Sequence, residues 1–414
     1  MKVGTLTVEN RDNAKVISGY VGNFPLWYRM PKDIEVDQHD GTFLIISAIF
    51  PAMLLQQDIY LDETLYMSQC VYEKLDQIQR TFTYFNPAFK PIKVHAKTQA
   101  TSAASLGRTA FFSGGVDGAY TAAKYRDSLE NLVLINGFDF NMDDEQWQQM
   151  AARAQKSADT LNMRLICIET NMKEFTSWVG ITRFVNFGAM LASVGGLLKA
   201  SEIIISGAVT FDRIFESGSH PLLDTLWSTE TTYVNHDGLE ADRTRKLAYL
   251  KQYPALLENL WVCWKTPTSN CGKCSKCVRT FISTYLNEIE NIPFETQPQL
   301  SDIKKLHIKS EEEFYFFEVF LNDAIKNNMP ELQKKLVWLR LKYNLRKSLV
   351  EIDEVYFGRA FHKFKRRRLS LASDITDLHI KARYTDKYKI EDLEKKQNIK
   401  ESLPSVVEIG TIYG

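Results

Sequence analysis

Phe111-Phe112-Ser113-Gly114-Gly115-Val116-Asp117-Gly118 decides how the middle of this chain is read. The apolar run over residues 109–112 predicts a buried strand, and residues 119–125 predict the helix that follows. Adjacent glycines let the backbone turn sharply and approach a ligand with no Cβ in the way. The start of the helix offers unpaired N–H groups and the positive end of its dipole, both suited to phosphate oxygens. Ser113 can add a hydroxyl donor, and Asp117 can orient the loop or hold a divalent cation. Residues 113–118 therefore form a candidate phosphate cradle, with a simple glycine turn as the competing explanation.

Outward from the loop, strand and helix patterns alternate, as a parallel α/β sheet requires. Strands are expected over residues 132–136, 164–168 and 202–207, with helices over 143–161 and 184–198. Ligands in such sheets sit beyond the carboxyl ends of the strands. That rule gathers residues 113–118, Gly137, Thr170, Asn171, Ser206 and Gly207 around one crevice.

A second motif lies downstream. Cys263, Cys271, Cys274 and Cys277 have the spacing C-x7-C-x2-C-x2-C, and the chain holds six cysteines in all. Four thiolates complete a tetrahedral zinc site, and a closed shell of that kind is structural. An iron–sulfur cluster takes the same ligands. Disulfides fit poorly, because residues 1–5 carry neither the basic nor the apolar block of a secretion signal. Cys70 and Cys167 lie in apolar stretches and read as small core residues.

In this order, the two motifs resemble the PP-loop ATP pyrophosphatases, and within them 7-cyano-7-deazaguanine synthase and its relatives. The family signature is S-G-G-x-D-S, and Gly118 stands at its final serine. The family's Y-P-D-C-R segment corresponds to Gly218-Ser219-His220-Pro221-Leu222-Leu223-Asp224, without the tyrosine or the cysteine–arginine pair. The resemblance covers residues 108–289. It implies a parallel-sheet domain of the adenine nucleotide alpha hydrolase-like type with a four-cysteine zinc site, and ATP, Mg²⁺ and Zn²⁺ as cofactors. Ser113, Gly114, Gly115, Val116, Asp117 and Gly118 would bind the phosphates, Leu134 and Asn136 the adenine, and Ser206 and Gly207 the crevice floor. Gly218, Ser219, His220 and Asp224 would face the substrate. Asp117, Arg245, Lys246 and His220 are the catalytic candidates: an acidic Mg²⁺ ligand, two cations for developing phosphoryl charge, and an acid or base.

The implied reaction adenylates a carboxyl or amide oxygen of a 7-deazapurine-like substrate. It releases pyrophosphate and AMP and forms an amide or nitrile, a C–N ligase chemistry akin to queuosine biosynthesis. Synthase-like proteins also occur in bacterial anti-phage defence operons, which makes a protein or nucleic-acid target, with partner proteins, an alternative. A tRNA-modifying PP-loop enzyme and a non-catalytic nucleotide-binding module are further alternatives. The first would grip RNA through Lys363, Lys365, Arg366, Arg367 and Arg368, and the second is suggested by Gly118.

The 414 residues balance 51 Lys and Arg against 51 Asp and Glu, so no global field draws the chain to nucleic acid or membrane. No apolar run reaches the ~18 residues of a membrane span, and a cytoplasmic protein, compatible with a homodimer, is expected. Residues 1–100 read as a separate α+β domain, with a helix over 63–81. Residues 101–290 read as the nucleotide domain with its zinc site, and 291–414 as a helical region and tail. Leu332, Leu336, Leu339, Leu341 and Leu345 are expected to pack there.

Overall fold

The computed structural model describes residues 1–11, 14–138, 142–181, 183–263, 265–266, 268–290, 292–308, 311–358 and 360. They divide between Asp242 and Arg243 into two compact units. The first begins with β1 (Lys2–Arg11), β2 (Ala14–Val21), β3 (Phe24–Pro31), α1 (Thr42–Leu55), β4 (Ile59–Leu61), β5 (Tyr66–Ser68), α2 (Gln69–Phe85), β6 (Val94–His95) and β7 (Lys97–Gln99). Next come β8 (Leu106–Phe111), α3 (Val116–Lys124), β9 (Asn131–Asn136), α4 (Asp144–Leu161) and β10 (Arg164–Thr170). The unit closes with α5 (Met172–Val179), α6 (Arg183–Leu198), β11 (Ala200–Ser206), α7 (Pro221–Asp224) and β12 (Tyr233–Asp237).

Ten of these strands form one sheet in the order β12-β11-β8-β9-β10-β3-β2-β1-β4-β6. From β12 to β10 every neighbouring pair is parallel. The chain therefore builds outward from β8 through β9 to β10, returns across the sheet, and builds outward the other way through β11 to β12. The reversal falls between β8 and β11. Successive strand residues point to opposite faces, and both faces are covered. Phe111, Val133, Ile203 and Ile205 join a core with α1, α5 and α6, while α3 and α4 pack against β8, β9, β10 and β11.

No core boundary falls at residue 100, where a domain limit is expected. β3 pairs antiparallel with β10, Tyr28 opposite Thr170 and Arg29 opposite Glu169. Arg29 Nη1 donates to Glu169 Oε1 at 2.9 Å, and Trp27 N donates to Asn171 Oδ1 at 2.9 Å. All fourteen residues of α1 are buried, in a core that also takes residues from β9, β10, β11, α5 and α6. The helix expected over 63–81 starts only at Gln69, because Ser68 caps it: its Oγ accepts from Val71 N at 3.2 Å. Glu230 supports the same turn, accepting from Cys70 N at 2.9 Å and from Ser68 Oγ at 2.9 Å. Burial pulls the Glu230 carboxyl up, but these bonds and those from Thr101 outweigh it and hold it down at about 2.

The second unit is helical, with α8 (Arg243–Leu250), α9 (Pro254–Glu258), α10 (Ser275–Leu286), α11 (Glu311–Lys326) and α12 (Pro330–Phe357). Its start inside the expected 101–290 domain places the cysteines with the C-terminal helices rather than with the sheet. Leu332, Leu336 and Leu339 enter its core as expected. Leu341 and Leu345 do not, being 61% and 65% exposed, because they lie on the opposite face of α12 from Leu339 and Tyr343, which pack on that core. The basic residues 363–368 and the tail lie outside the described residues. Among those described, no helix is long and apolar enough to cross a membrane.

Candidate functional site

The glycine loop follows β8 at the point where strand order reverses. Gly114 has φ +74°, a left-handed conformation that residues with a Cβ rarely adopt. Gly115 is the N-cap of α3, with no side chain capping it. The first bond into the helix is Ala119 N to Gly115 O at 3.0 Å, so the N–H groups of Val116, Asp117 and Gly118 have no carbonyl four residues back within the helix. Ser113 is exposed and Asp117 half-buried beside them. Gly118 is different, because it is buried. A Cβ there would lie 3.3 Å from the Phe111 carbonyl oxygen and 3.6 Å from Phe112 Cα.

α3 is locked to the far strand of the sheet by a polar network. Ser206 Oγ donates to Thr121 Oγ1 at 3.0 Å, and Thr121 Oγ1 donates to Asp237 Oδ2 at 3.0 Å. Lys124 Nζ reaches Asp237 Oδ1 at 2.6 Å and Glu240 Oε1 at 2.7 Å, while Tyr125 and Tyr120 donate to the same two carboxylates. Desolvation lifts the Glu240 carboxyl, but Lys124 and Tyr120 outweigh it and hold it at about 2. Ser206 is thus occupied, and Gly207 N donates to Asp237 O at 2.7 Å.

β8 stops pairing with β9 at Phe111 opposite Val133, whereas β9 runs on to Asn136 against β10. Leu134 points into the core, so only its backbone edge is offered to a ligand. The Asn136 side chain closes its own loop, accepting from Met142 N at 3.0 Å and donating to Met142 O at 3.2 Å. Thr170 and Asn171, expected at the crevice, tie β10 to β3: Thr170 Oγ1 donates to Trp27 O at 2.7 Å, and Asn171 Nδ2 to Pro25 O at 2.7 Å.

Residues 218–224 fold against α6. Gly188 N donates to Gly218 O at 3.1 Å, and a Cβ at Gly188 would collide with Asp224 Oδ1. His220 caps α7, its Nδ1 accepting from Leu222 N at 3.0 Å. Burial lowers its pKa from the ordinary histidine value, which keeps it neutral at pH 7.

The structure brings forward His236, half of a dyad that residue order alone does not reveal. His236 Nδ1 lies 2.7 Å from Asp224 Oδ2, with side chains 5% and 0% exposed. Ser219 Oγ donates to the same oxygen at 2.8 Å. A carboxylate only accepts, so Nδ1 donates, and in the neutral ring Nε2 is the acceptor. Among the described residues, His236 Nε2, Asp224 Oδ1 and both amide atoms of Asn186 are buried without a hydrogen-bond partner. The run Thr231-Thr232-Tyr233-Val234 carries the β-branched and aromatic residues of a strand. That signal could have placed His236 at a strand end.

Arg245 and Lys246 stand on α8 in the second unit. Arg245 is exposed, and Lys246 is only 1% exposed. In the same unit the ligand atoms of Cys263, Cys271, Cys274 and Cys277 lie within 4.8 Å of one another, a four-cysteine cluster that can hold a metal ion. Sulfurs about 2.3 Å from a tetrahedral zinc stand roughly 3.8 Å apart, and Cys263 Sγ to Cys274 Sγ is 3.8 Å. Backbone N–H groups of Lys265, Lys273, Cys274 and Cys277 point at the sulfurs from 3.3 to 3.4 Å. Such donors favour thiolates. Asn270, buried between the ligand-bearing stretches, accepts from Val262 N at 2.7 Å and donates to Leu260 O at 2.8 Å and Pro293 O at 3.1 Å.

No protein-family model matches the chain, and no curated protein or solved structure matches it.

Proposed function

We propose that the chain is an ATP-dependent enzyme of the PP-loop type that activates a carboxyl or amide oxygen by adenylation and passes it to an amine. The observation that carries this reading is positional. The loop of residues 113–118 leaves β8 at the strand-order reversal of a β12-β11-β8-β9-β10 sheet, where doubly wound sheets bind nucleotides. The N–H groups of Val116, Asp117 and Gly118 and the Ser113 hydroxyl would receive the phosphates, and the free backbone edge at Leu134–Asn136 the adenine. Asp117 and Ser113 suit Mg²⁺, a hard cation that keeps several waters and takes few protein oxygens. When bound, Mg²⁺ neutralises charge on the departing pyrophosphate.

Residues 218–224, in the same unit as the loop, remain the candidate substrate segment. The resemblance points to a 7-deazapurine-like acid. The cysteine cluster would hold zinc as a structural ion, its four protein ligands leaving no open position. ATP–[³²P]pyrophosphate exchange, measured with a panel of 7-deazapurine carboxylic acids, tests the reading. Acid-dependent exchange is expected. ATP binding without exchange for any acid would instead favour a nucleotide-binding module.

A further inference from the structure

We infer that His236, held by Asp224 and Ser219, is the base that takes the proton from the attacking amine, an inference that rests on the adenylation reading. Its first support is position. His236 lies opposite Ile205 near the carboxyl ends of β11 and β12. Its ring reaches Gly207, the residue just past β11, where an added Cβ would sit 2.8 Å from Nε2. β11 is also the neighbour of β8, so His236 stands two strands from the glycine loop, with Nε2 beside the end of the strand between them.

The second support is the state of the ring. Asp224 Oδ2 accepts from Nδ1 at 2.7 Å and from Ser219 Oγ at 2.8 Å, which fixes the tautomer and stabilises the imidazolium once it forms. Nε2 is buried and meets no protein donor. Leaving such a group unpaired is unfavourable, so it calls for a partner or a role.

The step balances. The amine nitrogen bonds to the acyl carbon, the bond from that carbon to the AMP oxygen breaks, and its electron pair leaves with AMP. Before attack, ammonium passes one proton to Nε2 and thence to solvent; the extra proton left on the adduct nitrogen goes to solvent as the amide forms.

His236→Asn is the informative variant, since its amide nitrogen can replace Nδ1 beside Asp224 while Nε2 is deleted. With an acid that supports exchange, amide formation from ammonia should fall by about 10²-fold or more, the usual contribution of a positioned base. Hydroxamate formation from hydroxylamine, a nucleophile already unprotonated at neutral pH, should change by less than about threefold on the same reasoning. Equal loss with both nucleophiles, or no loss with ammonia, overturns the role while exchange keeps the adenylation reading intact. Wild-type protein silent in exchange removes that reading and the role with it. Independently of turnover, ¹⁵N spectra of histidine-labelled protein, assigned with the same variant, should show the Nδ1–H tautomer of the neutral His236 ring; the Nε2–H tautomer overturns the inference.

Discussion

Gly118 sits on the buried side of α3, and its environment assigns it to helix packing. A serine Cβ there would meet the Phe111 carbonyl oxygen at 3.3 Å, close enough that the end of β8 must give by a few tenths of an ångström. The missing hydroxyl of the S-G-G-x-D-S pattern therefore coincides with a tight helix–strand contact, a use of glycine also seen where helices follow nucleotide loops. Gly118→Ser should fold, lose about 1 kcal/mol from crowding, and show no gain in pyrophosphate exchange. Gly114→Ala, which forces a Cβ onto φ +74°, should lose at least as much stability and also weaken ATP binding. Thermal melts and calorimetric titration with ATP measure both. A Gly118→Ser protein with faster exchange would show that a hydroxyl at this position reaches the phosphates.

At the scale of elements, α10 and the stretches before it depend on one buried amide. Cys274 caps α10, its Sγ accepting from Cys277 N at 3.4 Å, while Asn270 bonds the Leu260–Val262 backbone on one side and Pro293 on the other. Removing that amide leaves the sulfurs present but loosens the stretch that carries Cys263. Asn270→Ala should bind zinc about 10–100-fold more weakly, as losses of supporting hydrogen bonds do, measured by chelator competition. One zinc per chain and no visible sulfur-to-iron absorption are expected of the purified protein. The cysteines were legible because their spacing is itself the signal, and β8, β9 and β10 because buried parallel strands are runs of apolar residues. β12 was hidden. It is a short edge strand whose exposed Tyr233 and polar Asn235, His236 and Asp237 look like a loop, so the Asp224–His236 pair could not be read from residue order. His220, the histidine the motif favoured, is instead the cap of α7.

For the first unit as a whole, the N-terminal hundred residues decide whether β10 is left as an edge. Their strands carry their own hydrophobic pattern, which is why they read as a domain, yet a pattern cannot say which partner strand it meets. β3 supplies the antiparallel neighbour of β10, Trp27 and Pro25 complete the hydrogen bonds of Thr170 and Asn171, and α1 fills the core shared with α6. A chain starting at residue 101 would expose the β10 edge, which invites pairing with other chains. It would also bare the faces of Ile166, Ile168, Phe175 and Ala189 that this core now buries. At about 1.5–3 kcal/mol for each large apolar side chain uncovered, the loss is comparable to the ~5–15 kcal/mol that holds an ordinary protein folded. The truncated chain should therefore collect in the insoluble fraction or elute as aggregate in size-exclusion chromatography. Adding residues 1–100 as a separate polypeptide during refolding should rescue some soluble material, because the interface is a sheet edge and a core rather than a linker. A monodisperse truncated protein with the circular dichroism expected of its remaining helices and strands would refute the shared core and restore an independent N-terminal domain.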